Sequence, residues 1–234
     1  MLNLDDIRTE RMKRIDGLKQ EAALVFSMLV EPHWGKELHG FPETLYGYMM
    51  MCFAQIDLLS SYWQGLTSSK GQTPRMTAFM DQYISSNQEA NRLAVNVWRH
   101  KLMHTSEPRI LHHQGTSKAY HWLLHWGSPH LPQSLHYTFT ETADTKILNL
   151  GLFYLIDDIK RGLESYLAEL SASSLLQANY TRVKSELISY TFSWAAWESF
   201  SLRSLGFISD ANAVSLMVLA IPFSCFSWLL PLSS

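Results

Sequence analysis

The chain has 234 residues, of which 47% are hydrophobic and 17% charged, and its formal net charge at pH 7 is −2. This length allows one domain with a substantial core, and a net charge near zero excludes a globally basic protein that is drawn to nucleic acid or anionic lipid. The two cysteines form no disulfide or zinc-ligand pattern, and the acidic N-terminus has no apolar segment of signal-peptide type. We therefore predict a cytoplasmic protein that uses no cofactor.

Two helices are predicted in the first third of the chain. Apolar residues recur at helical spacing over residues 3–30, and Pro32 ends this amphipathic helix. Pro42 begins a second helix, which is apolar on nearly all sides over residues 43–65 and is expected to pack on several neighbours. Because a buried carboxylate needs a partner, Asp57 in this helix is a candidate substrate-binding residue.

A third helix is predicted to begin at Pro74 and to run to about His104. The sequence then changes character over residues 109–142, where aromatic, strand-like runs replace the helical pattern. Residues 120–126 and 135–139 are two such runs, separated by a turn rich in glycine and proline. We predict that they form a β-hairpin inserted between helices.

A fourth helix is predicted from residue 144 or 145, because apolar residues from Ile147 to Leu170 recur at helical spacing. Residues 178–197 add a fifth. The predicted fold is therefore all-α: an antiparallel bundle of four to five helices that occupies residues 1–190 and carries a small hairpin insertion.

The C-terminal segment, residues 191–234, differs in composition from the rest. No charged residue occurs over 211–234, and residues 213–232 are apolar over a length that can span a bilayer. Two prolines interrupt this run, and no Lys or Arg flanks it. Three interpretations remain open: a membrane anchor, a tail buried against the bundle, and an unnatural or poorly ordered tail. We expect no membrane contact outside this segment.

The sequence Arg99-His100-Lys101-Leu102-Met103-His104 falls near the predicted end of the third helix. An Arg, then Asn, His or Asp, then three residues and a His at this place in a bundle resembles the HEPN superfamily. The resemblance covers about residues 3–170, and the hairpin is a departure from the minimal family plan. It implies a homodimer, metal-independent cleavage of RNA but not DNA, and a toxin–antitoxin or phage-defence setting with an antitoxin protein as a partner.

The resemblance also implies roles for the residues of this motif. His104 would transfer protons at the 2′-hydroxyl or leaving oxygen, Arg99 would hold the phosphate, and His100 would orient or contact it. On an ideal helix the side chains of Arg99 and His104 point about 140° apart, so they converge only if the helix ends or bends, or across a two-fold axis. Nearby cations that would bind backbone phosphates are Lys101, Arg109 and Lys118.

A second hypothesis needs no catalysis, because Arg and His at a helix C-terminus are favoured by the helix dipole and can cap free carbonyls. The protein would then be a non-catalytic, HEPN-like dimeric module that binds nucleotides or proteins. Both hypotheses predict the same fold and the same dimer.

Other patterns favour structure over chemistry. Eight of the ten histidines lie between His100 and His136, but on a strand His121 and His125 would be about 13 Å apart, so we predict no metal site. Trp98, Trp122 and the neighbouring aromatic residues are assigned to packing in preference to a base-stacking surface. The charged run 157–161 is interpreted as a solvated helix face.

Overall fold

A computed structural model of the chain describes residues 2–33, 41–68, 70–98, 111–112, 115, 118–128 and 131–188. Within these ranges the chain is mainly helical and contains one small sheet, which confirms the predicted helical class. None of the helices in these ranges is long and apolar enough to cross a membrane. The tail 191–234 and the end of the predicted fifth helix lie outside the described residues, so they stay predictions.

The first two helices form as predicted. Helix α1 spans Leu4–Val25 and continues as a π-helical turn, Phe26–Val30, and a 3₁₀ turn, Glu31–His33. The side chain of Asn3 caps α1 by accepting hydrogen bonds from the first-turn backbone N–H groups. Helix α2 spans Phe41–Gln64.

The predicted single helix from Pro74 to His104 is wrong over its described part, because the chain breaks it in two. Helix α3 spans Gln72–Tyr83 and helix α4 spans Gln88–Val97. The side chain of Asn87 caps α4 by accepting a hydrogen bond from a backbone N–H of its first turn. Polar residues that cap the backbone in this way compete with a continuous helix, which explains the break.

Four strands form one sheet in the order β1-β2-β4-β3. Their bounds are Leu111–His112 for β1, Ala119–His125 for β2, Thr138–Glu141 for β3 and Thr145–Gly151 for β4. Strand β2 runs parallel to β4, and the other two pairs are antiparallel.

The predicted hairpin is therefore wrong, although its first strand is placed correctly. Strand β4 lies between β2 and β3, with Trp122 of β2 opposite Leu148 of β4 and Phe139 of β3 opposite the same leucine. Leu148 and Leu150 are fully buried. A strand buried to this extent takes the centre of a sheet, and its two neighbours then cannot pair with each other.

Residues 145–151 were expected to begin the fourth helix, but they form β4, and helix α5 begins only after it at Leu152. A doubly buried strand and a buried helix both appear in sequence as an apolar run, which explains the error. Helix α5 spans Leu152–Ala172, and α6 follows over Ser174–Ile188.

Helices α5 and α2 lie together at the centre of the helical layer, since each packs against the other and against α1, α3 and α6. The buried face of α5 includes Leu155, Ile159, Leu163 and Leu170. Ion pairs also join it to α1, with 2.6 Å between the charged atoms of Lys19 and Asp157 and of Lys160 and Asp16. Such exposed pairs stabilise little, so burial is what holds α5 in place.

Candidate functional site

The residues of the predicted catalytic motif lie outside the described residues. These are Arg99, His100, Lys101 and His104, together with the predicted phosphate-binding Arg109. Their roles therefore stay predictions. Of the other predicted site residues, Asp57 is described, and Lys118 is described and donates a hydrogen bond to Glu141.

The described chain leads into the motif through Trp98, the residue directly before Arg99. Trp98 is only 4% exposed and follows the last turn of α4. Its ring stacks on Phe53 of α2 with 5.8 Å between ring centroids, and Phe53 lies at the same distance from Trp122 of β2. The packing role predicted for these tryptophans is confirmed, and the chain enters the motif from a position held by two other elements.

Asp57 is only partly buried, in contrast to the prediction, but it has the predicted partners. Its Oδ1 accepts a hydrogen bond from Arg75 Nη2 at 2.9 Å, and its Oδ2 accepts one from Gln72 Nε2 at 2.7 Å. The Arg75 side chain is only 3% exposed, whereas that of Asp57 is 26% exposed. Arg75 donates two further hydrogen bonds, to Ser60 Oγ and to the carbonyl oxygen of Ser68.

A cavity of about 210 Å³ lies beside this network. Its polar wall includes Asp57, Gln72 and Arg75, and its apolar wall includes Ala54, Leu58 and Leu187. Because the carboxylate and the guanidinium cancel each other's charge, this wall suits a small polar molecule without net charge. The sequence reasoning found Asp57 but missed Gln72 and Arg75, and the only signal for them was that Asp57 needs a partner.

A second paired carboxylate, that of Asp158 of α5, is buried and lies at the junction of the sheet and the helices. Its Oδ2 accepts a hydrogen bond from Nε2 of His136 at 2.9 Å, and the two side chains are 8% and 7% exposed. Nδ1 of His136 accepts the backbone N–H of Gly151 at 3.0 Å, so the ring proton is on Nε2. Arg161 also donates to Asp158. The solvated face predicted for 157–161 is therefore wrong at Asp158.

Tyr137, next to His136, combines burial with an unusual backbone. Its φ of 59° lies in the left-handed region, which a residue with a side chain rarely adopts. Its hydroxyl is buried and has no hydrogen-bond partner among the described residues. Burial and the negative charge of Asp158 raise the pKa of this hydroxyl well above its ordinary value, so Tyr137 keeps its proton at neutral pH.

The histidines of β2 do not assemble with other ligand types in the part of the chain that is described. His121 and His125 lie on one strand, as predicted. Across the same residues, no group of three His, Cys, Asp or Glu side chains is close enough to hold a metal ion.

Comparison of the chain with protein-family models, with curated proteins and with solved structures finds no match. The chemistry of the candidate site therefore rests on the residues that form it. Two features stand out: the motif that follows Trp98 and the cavity beside Asp57.

Proposed function

We propose that the protein is a metal-independent endoribonuclease of the HEPN type that is active as a homodimer. The observation that carries the proposal is the sequence Arg99-His100-x-x-x-His104 directly after the buried Trp98. Because Trp98 is packed against Phe53, the motif begins from a constrained point of the core. Such support is what a phosphate-binding Arg and a proton-transferring His need.

The proposed reaction attacks phosphorus with the neighbouring ribose 2′-oxygen. A bond forms between that oxygen and phosphorus, and the bond from phosphorus to the 5′-oxygen breaks. His104 accepts the 2′-hydroxyl proton, and a second imidazole, from His100 or from the other copy of the motif, gives a proton to the 5′-oxygen. Arg99 stabilises the charge on the phosphoryl oxygens. DNA lacks the attacking hydroxyl, so it is no substrate.

The partners follow from the same proposal. Lys101 and Arg109 contact RNA phosphates on either side of the cleaved bond, which gives affinity without sequence preference. A ribonuclease of this kind acts as a toxin or in phage defence, and an antitoxin protein restrains it.

The test is the His104→Ala substitution, with His121→Ala of strand β2 as the matched control. We expect the purified wild-type protein to cleave labelled RNA in excess EDTA and His104→Ala to lose about a hundredfold or more of the rate. His121→Ala should cleave like the wild type. Thermal melts of all three proteins establish that each is folded.

The opposite result is equally clear. If His104→Ala cleaves RNA like the wild type, or its overexpression remains equally toxic, then the ribonuclease proposal is wrong. A folded wild-type dimer without any RNA cleavage would favour the non-catalytic binding module.

A further inference from the structure

We infer that the cavity beside Asp57 and Arg75 is a binding site for one nucleobase of an RNA strand. The inference rests on the proposed function for its choice of RNA, and it adds a recognition site outside the catalytic motif. Three observations support it: the size of the cavity, the chemistry of its walls and its place on α2.

The size and charge of the cavity select a small neutral molecule. Its volume of about 210 Å³ is below the range of drug-sized ligand pockets, so a single planar ring system is the appropriate scale. A phosphate would meet the carboxylate of Asp57, whose charge already balances the guanidinium of Arg75 at 2.9 Å. The cavity therefore disfavours an anion but can accept an uncharged ring.

The polar wall of the cavity can form hydrogen bonds with the edge of a base, and the apolar wall can contact its ring faces. Arg75 offers N–H donors, Asp57 offers acceptor oxygens, and the amide of Gln72 has both. These groups are held in place by their mutual hydrogen bonds, so little ordering is required on binding. The apolar side chains of Ala54, Leu58 and Leu187 supply contact for the ring faces.

Helix α2 links the cavity to the start of the motif. Phe53 and Asp57 are four residues apart on this helix, so they lie on one side of it and about 6 Å apart along its axis. Phe53 stacks on Trp98, which directly precedes Arg99. One helix thus carries both Asp57, which lines the cavity, and Phe53, which packs against the residue that precedes the motif.

The test is a substitution that fills the cavity with a larger side chain at its exposed edge. Ala54→Trp places an indole in the cavity from an exposed position of α2, and Met51→Trp makes the same change at a position that is 47% exposed and does not line the cavity. The probe is a fluorescein-labelled hexamer of 2′-O-methyl RNA, which cannot be cleaved, together with hexamers that carry one abasic position each. Free nucleosides are added as competitors.

We expect Ala54→Trp to weaken hexamer binding about tenfold, the loss typical of one base contact. Met51→Trp should bind like the wild type. One abasic position should cost the wild type a similar factor and cost Ala54→Trp nothing. Displacement of the hexamer by nucleosides shows that the base itself is recognised, whereas abasic sensitivity without such displacement shows that the base is bound only as part of the strand. Both results support the inference.

The inference is overturned if Ala54→Trp and Met51→Trp bind alike, or if no abasic position affects the wild type. Failure of the proposed function has a different signature. In that case the binding results hold while the wild type cleaves no RNA. Conversely, His104-dependent cleavage with equal binding by the two tryptophan variants overturns only the nucleobase site.

Discussion

Two carboxylates of the protein, one partly buried and one buried, are paired in two different ways. Asp57 is paired with Arg75, whose charge is permanent, and the pair lines a cavity. Asp158 is paired inside the protein with His136, a neutral imidazole whose second nitrogen accepts a backbone N–H, and at the surface with Arg161, whose side chain is 65% exposed. The comparison teaches that burial of a carboxylate does not by itself indicate a functional site. Asp57 lines a cavity and can contact a ligand, whereas Asp158 joins two elements of the fold.

The two pairs also differ in the charge that remains when one partner is removed. Arg75 cannot lose its charge and is almost fully buried, so removal of Asp57 leaves a buried cation, whereas removal of Arg75 leaves a partly buried carboxylate without its cation. His136 is neutral, and its hydrogen bond to Asp158 holds the segment before β3 against α5. The three predictions below test this difference, starting with the largest effect.

Arg75→Met should destabilise the protein by about 3 kcal/mol, because it leaves the carboxylate of Asp57 without its cation. The free energy of unfolding from urea titrations measures the loss. The double variant Asp57→Met/Arg75→Met should regain most of this loss, since no buried charge then remains. A double variant as unstable as the single one would show that the charge is not the cause.

Asp158→Asn should cost about 1–2 kcal/mol, because a neutral amide accepts a weaker hydrogen bond from His136 and loses the charge that Arg161 pairs with. Asp157→Asn is the matched control, since this neighbour is 45% exposed and pairs with Lys19 at the surface. It should cost well under about 1 kcal/mol. Equal losses in the two variants would contradict the role given to burial.

Tyr137→Phe should have the smallest effect at neutral pH, either none or a gain of up to about 1 kcal/mol, because it removes a buried hydroxyl that has no partner among the described residues. The difference should appear in alkali. Burial and Asp158 raise the pKa of Tyr137 above its ordinary value of 10.0, so the folded state holds this proton more tightly than the unfolded state.

The stability that this proton contributes is complete below pH 10 and is lost as the pH rises above it. Wild-type protein should therefore lose more unfolding free energy than Tyr137→Phe between about pH 8 and pH 11. Other buried tyrosines, such as Tyr180 with a pKa raised to about 12, are present in both proteins and cancel in the difference. Parallel pH profiles for the two proteins would contradict the assignment.

Much of the helical part was predictable because prolines mark its boundaries. Pro32 and Pro42 separate α1 from α2 in the sequence, and the structure follows them. The break between α3 and α4 has no glycine or proline, and it depends on the side-chain cap of Asn87. Strand β4 is not predicted because only Asn149 and Gly151 separate its apolar residues from those of α5, and the spacing of the whole run also fits a helix.

The candidate site was predictable only in part. The sequence indicates that Asp57 needs a partner, but the identity of Arg75 depends on how α3 packs against α2. Asp158 stands in a run of charged residues, and only the rotation of α5 about its axis determines that this one is buried while Asp157 is exposed. Local patterns therefore identify chemical needs, and tertiary packing decides how they are met.

The order of the elements along the chain has a consequence for biosynthesis. Strand β4 is the strand between β2 and β3, helix α5 lies with α2 at the centre of the helical layer, and β4 and α5 are consecutive over residues 145–172. A nascent chain that ends before residue 145 has neither, so its first four helices can pack on one another but lack α5, and β2 and β3 lack the strand that lies between them. Residues 145–172 must therefore leave the ribosome before either layer can close, and the apolar surfaces that they cover stay exposed until then.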